Sequence, residues 1–254
     1  MDSISVNQEK SRRTSVKFSF QSMLMLMAAI MMAFATLTSC DEDEDPSDDP
    51  DEIENGNNGS VAGKRLKTWT ITYDNSVSRG EYTYNSDGSL KQVDYYDANS
   101  NRVSYDIITN NPDGTTAKSE NINPDGNVVT VYTYDPNKKP KSAQSIQHSS
   151  MGETSISYTW TFQNGRLIRY VQSYTGGESI FEPKYDSQGK RTTTTETHNT
   201  LGTCEYTRTY NSDGTLQMVS VSNYSLFPAT KGRTETFIWE DGKTNNNLWD
   251  LINY

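Results

Sequence analysis

One short motif, returning along the chain at a near-constant interval, limits the possible folds more than any other feature. Tyr84-Asn-Ser-Asp-Gly88-Ser-Leu90 recurs almost unchanged as Tyr210-Asn-Ser-Asp-Gly214-Thr-Leu216, and Asn111-Pro-Asp-Gly114 recurs as Asn123-Pro-Asp-Gly126. Looser copies stand at Tyr134–Asn137, Gln163–Gly165, Tyr185–Gly189 and Glu240–Gly242. Asp-Gly and Asn-Gly supply the positive φ that tight hairpin turns demand, so each copy marks a turn. Gly88 to Gly114 is 26 residues, Gly114 to Gly126 is 12, Gly165 to Gly189 is 24, Gly189 to Gly214 is 25 and Gly214 to Gly242 is 28. Weaker turn signals at 97–101, 148–152, 175–177 and 198–202 fill the midpoints. A turn every dozen residues leaves strands of about eight.

Between the turns the side chains alternate with the period of a strand. Ile156, Tyr158, Trp160 and Phe162 stand on one face against Ser155, Ser157, Thr159 and Thr161. Trp69, Ile71 and Tyr73 oppose Thr68, Thr70 and Thr72, and Val103, Tyr105 and Ile107 oppose Ser104 and Asp106. This pattern predicts an antiparallel sheet with an aromatic, apolar face and a wet face of Thr, Ser and charge. All sixteen Tyr lie in this body, as suits strands whose rings pack while their hydroxyls reach water. The expected fold is all-β: an antiparallel up-and-down meander of about 14 strands over residues 64–254, closed as a barrel or, alternatively, left as an open twisted single-layer sheet.

The first forty residues belong to a compositionally different chain. Lys10, Arg12, Arg13 and Lys17 precede an apolar run from Met23 to Leu37, and six of the eight Met lie before Cys40. A basic flank, a short apolar core and small residues are the marks of a secretory signal over 1–39. Fifteen helical residues reach ~22 Å, short of a hydrocarbon core of roughly 30 Å, which argues against a permanent span. Leu37-Thr-Ser-Cys40 resembles the bacterial lipobox, which implies a lipid-modified Cys40 as the first mature residue and a membrane partner through that anchor. Asp41, Glu42, Asp43, Glu44 and Asp45 come at once after it, and ten acids with no base fall between 41 and 63. Such a run reads as a solvated tether over 40–63. Directly behind the Cys it also resembles the surface-export signal of Bacteroides-type lipoproteins, which implies display on the outer face of the outer membrane. The whole chain carries −10; without residues 1–39 it carries −12, nearly all of it in that tail, so residues 64–254 come to about −2. A nearly neutral body disfavours a nucleic-acid partner.

The Tyr-x-Tyr-Asn/Asp-x-x-Gly-x-Leu pattern of the body resembles the YD-repeat class of bacterial surface proteins. Taken with the N-terminal signal, the body is similar to a gut-bacterial lipoprotein family known as a domain of unknown function with a porin-like fold. That resemblance implies an up-and-down barrel and carries no catalytic residues across. A lipid-embedded porin is a different proposition, because it needs a continuous apolar band; Arg191–His198 and Ala117–Asn123 could not face lipid on either side.

Motifs for chemistry are sparse. His148 and His198 sit in or beside turns with no His or Cys at ligand spacing, so no metal site is expected. Cys204 alternates in phase with Tyr206 and Tyr210, which suggests a buried strand thiol; if Cys40 is acylated, Cys204 has no disulfide partner. No cofactor motif stands out and no catalytic residue is assigned. A barrel of about fourteen strands needs bulky filling or a ligand inside. Tyr82, Tyr84, Tyr158, Trp160, Tyr170 and Trp239 are the candidates for a ligand-stacking surface, core packing being the alternative. The expected function is a surface binding module for a glycan or other extracellular ligand. The alternative is a structural component of the envelope that docks other proteins through its edges or polar face, and an enzyme ranks third.

Overall fold

The computed structural model describes residues 63–74, 76–124, 126–150, 152–226 and 232–242. The signal peptide, Cys40, the Asp41–Asp45 run and the tether up to residue 62 lie outside the described residues. Fourteen strands run in order: β1 (Lys64–Tyr73), β2 (Ser76–Tyr84), β3 (Leu90–Tyr96), β4 (Arg102–Asn110), β5 (Thr116–Asn123), β6 (Gly126–Tyr134), β7 (Pro140–Ser149), β8 (Gly152–Gln163), β9 (Arg166–Tyr174), β10 (Gly177–Tyr185), β11 (Arg191–His198), β12 (Gly202–Tyr210), β13 (Leu216–Val221) and β14 (Arg233–Asp241). Each pairs antiparallel with its sequence neighbour, and β14 closes on β1 from Lys64↔Asp241 to Tyr73↔Arg233. The sheet is therefore a closed up-and-down barrel, and the open-sheet alternative is set aside. Closure leaves no strand edge among the described strands, which removes the hazard of a long edge.

The recurring motif builds one rim. In the β2–β3 connection, Asn85 N–H donates to Ser89 O (2.8 Å) and Gly88 N–H to Asn85 O (3.1 Å). Asp87 Oδ1 accepts from Ser89 N–H and Oγ (2.9 and 2.7 Å). Gly88 sits at φ +89°, where a Cβ would be strained. The same backbone bonds recur at 111–115, 135–139, 186–190 and 211–215, and in the third of these five turns Lys138 occupies the left-handed position at φ +59°. The described part of β1 begins at Lys64 and β14 ends at Asp241 on this same rim.

A second device repeats one step below the turns. Tyr84 OH donates to Leu66 O (2.8 Å), Tyr134 OH to Thr116 O (2.8 Å), Tyr185 OH to Leu167 O (2.9 Å) and Tyr210 OH to Arg191 O (2.6 Å). Asn110 Nδ2 and Trp239 Nε1 make the equivalent bonds to Leu90 O and Leu216 O (2.9 and 2.7 Å). Each latch spans a hairpin and holds a carbonyl freed by the β-bulge beside it; bulges fall at Thr83/Tyr84, Thr109/Asn110, Thr133/Tyr134, Thr209/Tyr210 and equivalent sites. The barrel is thus seven copies of one hairpin. In the fourth copy Phe162 stands at the latch position, above Pro140, and its ring has no donor.

Both Asn-Pro-Asp-Gly copies fall between paired strands, as expected, and one expectation, the faces of β4, is corrected. Asn111-Pro-Asp-Gly114 and Asn123-Pro-Asp-Gly126 are not equivalent turns. The first is a bulged turn on the motif rim, whereas Asn123 pairs directly with Gly126 on the opposite rim. The difference lies in the residue after the glycine: Thr115 hydroxyl and N–H are held by Asp113 (2.7 and 3.0 Å), which caps the longer turn. The faces of β4 are the reverse of the expectation. Ser104 and Asp106 point inward, 4% and 1% exposed, while Ile107 is 43% exposed on the outer wall. The pairing Tyr95↔Ser104 and Val93↔Asp106 fixes this phase, because a one-residue slip would turn Tyr95 or Val93 outward.

Candidate functional site

Inward-facing side chains close over one another, so the barrel encloses a core. Leu66, Leu90, Thr116, Leu167, Arg191 and Leu216, the first inward residue of each odd strand but one, are at most 1% exposed and floor the motif rim. Along the wall the core divides into an aromatic sector and polar sectors.

In the aromatic sector Tyr158, Trp160, Tyr170 and Phe181 form one stacked row, with centroid separations of 6.1, 6.3 and 4.2 Å, and Phe181 continues at 6.1 Å onto Tyr206. Three of the six aromatics picked from the sequence are therefore brought together, on β8 and β9. Tyr158, Trp160 and Tyr170 are 1%, 6% and 1% exposed, so a ligand reaches their faces only if neighbouring side chains move. Tyr84 and Trp239 lie apart, as latches on the motif rim. Tyr82 on β2 is half-buried beside Gly80, where a Cβ would meet Trp69 Cε3 at 3.3 Å and Tyr82 OH and Tyr95 Cε1 at 3.5 Å. That glycine makes room for the Trp69 and Tyr95 rings on either side.

The polar sectors are not foreshadowed by the sequence pattern. Asp106 accepts from Tyr95 OH (2.7 Å) and Asn121 Nδ2 (2.8 Å). Burial pushes its carboxyl up to about 7, against the lowering pull of those two hydrogen bonds. Across the barrel Glu196 accepts from Tyr206 OH (2.7 Å) and lies 3.4 Å from Cys204 Sγ. Cys204 is buried, as expected, and its thiol is pushed up to about 12, first by burial and then by the Glu196 charge; such a thiol is a poor nucleophile. Glu235 accepts from Trp69 Nε1 (3.1 Å) and Arg233 Nε (2.8 Å). Arg208 lies close enough to Arg191 to feel its charge, and burial together with that repulsion lowers it to about 9. The signal that could have located these sectors is the placement of acids and amides at in-phase positions, Asp106 with Asn121 and Glu196 with Tyr206, on neighbouring strands.

His198 Nε2 meets Tyr174 OH (2.6 Å), and its Nδ1 accepts the N–H groups of Thr200 and Leu201 (3.1 and 3.2 Å), so the ring caps the β11–β12 turn. His148 is exposed near Glu153. Among the described residues no group of three His, Cys, Asp or Glu could hold a metal ion.

The outer wall divides by charge. Lys64, Arg65, Lys67, Arg79, Arg102 and Lys118, on β1 to β5, each lie within 3.6 Å of a carboxylate. Ion pairs such as Arg79–Glu81 and Lys118–Glu120 interrupt any apolar band at mid-strand, where a lipid-facing wall would need one. No helix of the described residues is long and apolar enough to cross a membrane.

No protein-family model matches the chain, and no curated protein does. Among solved structures it is similar to a porin-like protein from Bacteroides vulgatus, with TM-score 0.44 and 13% identity over 69% of this chain and 98% of that one. A porin-like protein from Bacteroides uniformis gives TM-score 0.40 and 11% identity over 69% and 98%. The role of this barrel has to be read from its own side chains.

Proposed function

We propose that the chain is a lipid-anchored, surface-displayed binding module for a glycan or other extracellular ligand, tethered through Cys40 to the outer membrane. The observation that supports it best is the filled interior: with Tyr158, Tyr170, Leu66 and Arg191 at most 1% exposed, recognition falls to the rims and outer wall, where polar groups are displayed over aromatic rings. A binding role also fits the interior carboxylates, since Asp106, Glu196 and Glu235 are each engaged by hydroxyl, amide, indole or guanidinium donors and none faces an open cleft as a general acid or base must. A docking role through strand edges loses its support, because the closed ladder offers none.

The test is a glycan panel read by thermal shift on the purified protein. A ligand present at a hundred times its Kd should stabilise the barrel by ~2.7 kcal/mol, a shift of several degrees. Flat melting midpoints across neutral and charged glycans alike would sink the binding reading. Anchoring is tested separately: Cys40→Ser should release the protein from the membrane fraction, and retention of that variant would count against the lipid anchor.

A further inference from the structure

The motif rim is asymmetric in charge, and the asymmetry tracks the hairpin repeat. From the β6–β7 turn to the residue before β11 stand Lys138, Lys139, Lys141, Arg166, Arg169, Lys184 and Lys190. None of the seven lies in a carboxylate ion pair among the described residues, whereas on β1 to β5 only Lys91 lacks one. Three of them are held in place by rings instead. Lys139 Nζ lies over Phe162 at 5.2 Å and donates to Gly165 O at 2.6 Å. Arg166 Cζ lies over Tyr185 at 5.7 Å and reaches across to Gly189 of the next turn. Lys190 Nζ lies over Tyr210 at 3.8 Å. Each cation thus lies over the latch-position ring of its own hairpin, Lys139 and Arg166 also reaching the turn that follows it, and a ring positions a cation without neutralising it. The acids in the turns of this sector are held by their own turns, Asp135 Oδ1 accepting from Asn137 and Lys139 N–H and the exposed Asp186 Oδ1 from Gln188 and Lys190 N–H, and fewer acids than bases stand here. Glu182 is exposed on β10 at the level of Arg169, one step beyond the Phe181↔Tyr170 pair, without an ion pair to it among the described residues.

Resting on the glycan-binding reading, we infer that this arc is the ligand site and that its ligand is a linear acidic polysaccharide with a carboxylate on each sugar, every second one meeting a cation. Two arguments select that class. Lys139, Arg166 and Lys190 are one hairpin apart, and two strand spacings of ~4.8 Å set them about 10 Å apart, the length of two pyranose units in an extended chain. The cations without a carboxylate partner are also concentrated in this sector, Lys91 on β3 standing outside it. The rest of the same rim displays Asp87, Asp113, Asp213 and Asp241, all exposed, which repel a flat anionic surface brought face-on but not a thin chain crossing the β6–β11 sector alone. The described turn tips of the motif rim carry Ser, Asn, Asp, Gln, Lys and Pro, with no large apolar wedge for a bilayer.

Affinity electrophoresis of the full chain tests this, with polygalacturonate, neutral pullulan and phosphatidylglycerol vesicles as probes. Polygalacturonate should retard the protein, pullulan and vesicles should not, and retardation should fade as salt screens the charges over a Debye length of ~8 Å. Combining Lys139→Gln, Arg166→Gln and Lys190→Gln should weaken retention at least tenfold, and Lys64→Gln with Lys67→Gln should leave it unchanged. Arg169→Glu with Lys184→Glu, on side chains that carry no ring contact, should weaken it as well and covers the case in which the triple variant does not fold. Retention on pullulan with none on polygalacturonate would overturn the acidic-ligand inference and leave the glycan reading standing; retention on neither overturns both. Vesicle binding without polysaccharide binding would make the arc a membrane contact and overturn the inference.

Discussion

Asp106 titrates in the wrong place for a carboxylate, and the direction of that shift has a consequence for stability. Its folded value is raised from 3.8 to about 7 by burial, so the folded barrel holds the proton more tightly than the unfolded chain does. The contribution is fully present below the unfolded value of ~3.8 and is lost as pH rises through the folded value; a change of that size corresponds to on the order of 4 kcal/mol at most. Asp87, Asp113 and Asp213 work the other way. Hydrogen bonds from Ser89, Thr115 and Thr215 hold their carboxyls low, so what they contribute is lost as pH falls below their unfolded range. Stability measured by urea titration should therefore peak near pH ~4–5 and decline toward pH ~8. Asp106→Asn keeps an acceptor for Tyr95 or Asn121 and removes the buried charge. That variant should lose the decline from pH ~5 to ~8 and keep only the rise that His198 gives, whose imidazole burial holds low; a wild-type decline that survives in it would assign the decline to another group.

At the level of the hairpin, the latch yields a prediction because one copy lacks it. Tyr84, Tyr134, Tyr185 and Tyr210 each donate to a carbonyl in the preceding strand of their hairpin, while Phe162 offers Pro140 O no such donor. Phe162→Tyr should add a half-buried hydrogen bond and stabilise the barrel by ~0.5–1.5 kcal/mol, and Tyr134→Phe should cost a similar amount; chemical denaturation of the pair checks both, and destabilisation by Phe162→Tyr would refute the equivalence of the seven copies. The hairpin is also where the sequence was most and least legible. The turn residues were readable because Asp-Gly and Asn-Gly have a local mechanism that needs no tertiary contact, and the faces of β1 and β8 were readable because Trp69, Ile71, Tyr158 and Trp160 outweigh everything opposite them. The face of β4 was not readable, because its phase depends on β3 and on the Asp106–Asn121 bond rather than on its own composition. The same limit applied to the six aromatics: Tyr84 and Tyr158 are one residue type in one kind of strand, and only register separates a rim latch from a buried stack member. The rim cations were invisible for a related reason, since Lys139, Arg166 and Lys190 are far apart in sequence and become neighbours only through the ring of hairpins.

Closure and filling act on the molecule as a unit, and Cys204 reports on both. It faces inward on β12, 4% exposed, with Glu196 against its sulfur. Its strand is paired along both sides, with β11 from Thr193↔Thr207 to His198↔Gly202 and with β13 from Tyr206↔Val221 to Tyr210↔Leu216. No reagent can reach that sulfur by fraying of an edge, because a closed barrel has none. Opening one ladder is the least disruptive alternative, and the shortest is β13–β14, with four paired positions against nine for β6–β7. Separating those four pairs breaks the ring but leaves β12 between its neighbours, so the thiol becomes reachable only when the inward side chains also part. In protein carrying Cys40→Ser, labelling of Cys204 by a thiol reagent at pH ~8 should therefore be slow in native buffer and accelerate with denaturant in step with global unfolding. The raised thiol value lowers the reactive thiolate fraction further in the folded state. Rapid labelling without denaturant, while backbone circular dichroism stays native, would show that the core opens as a local event and that the interior is accessible to a ligand after all.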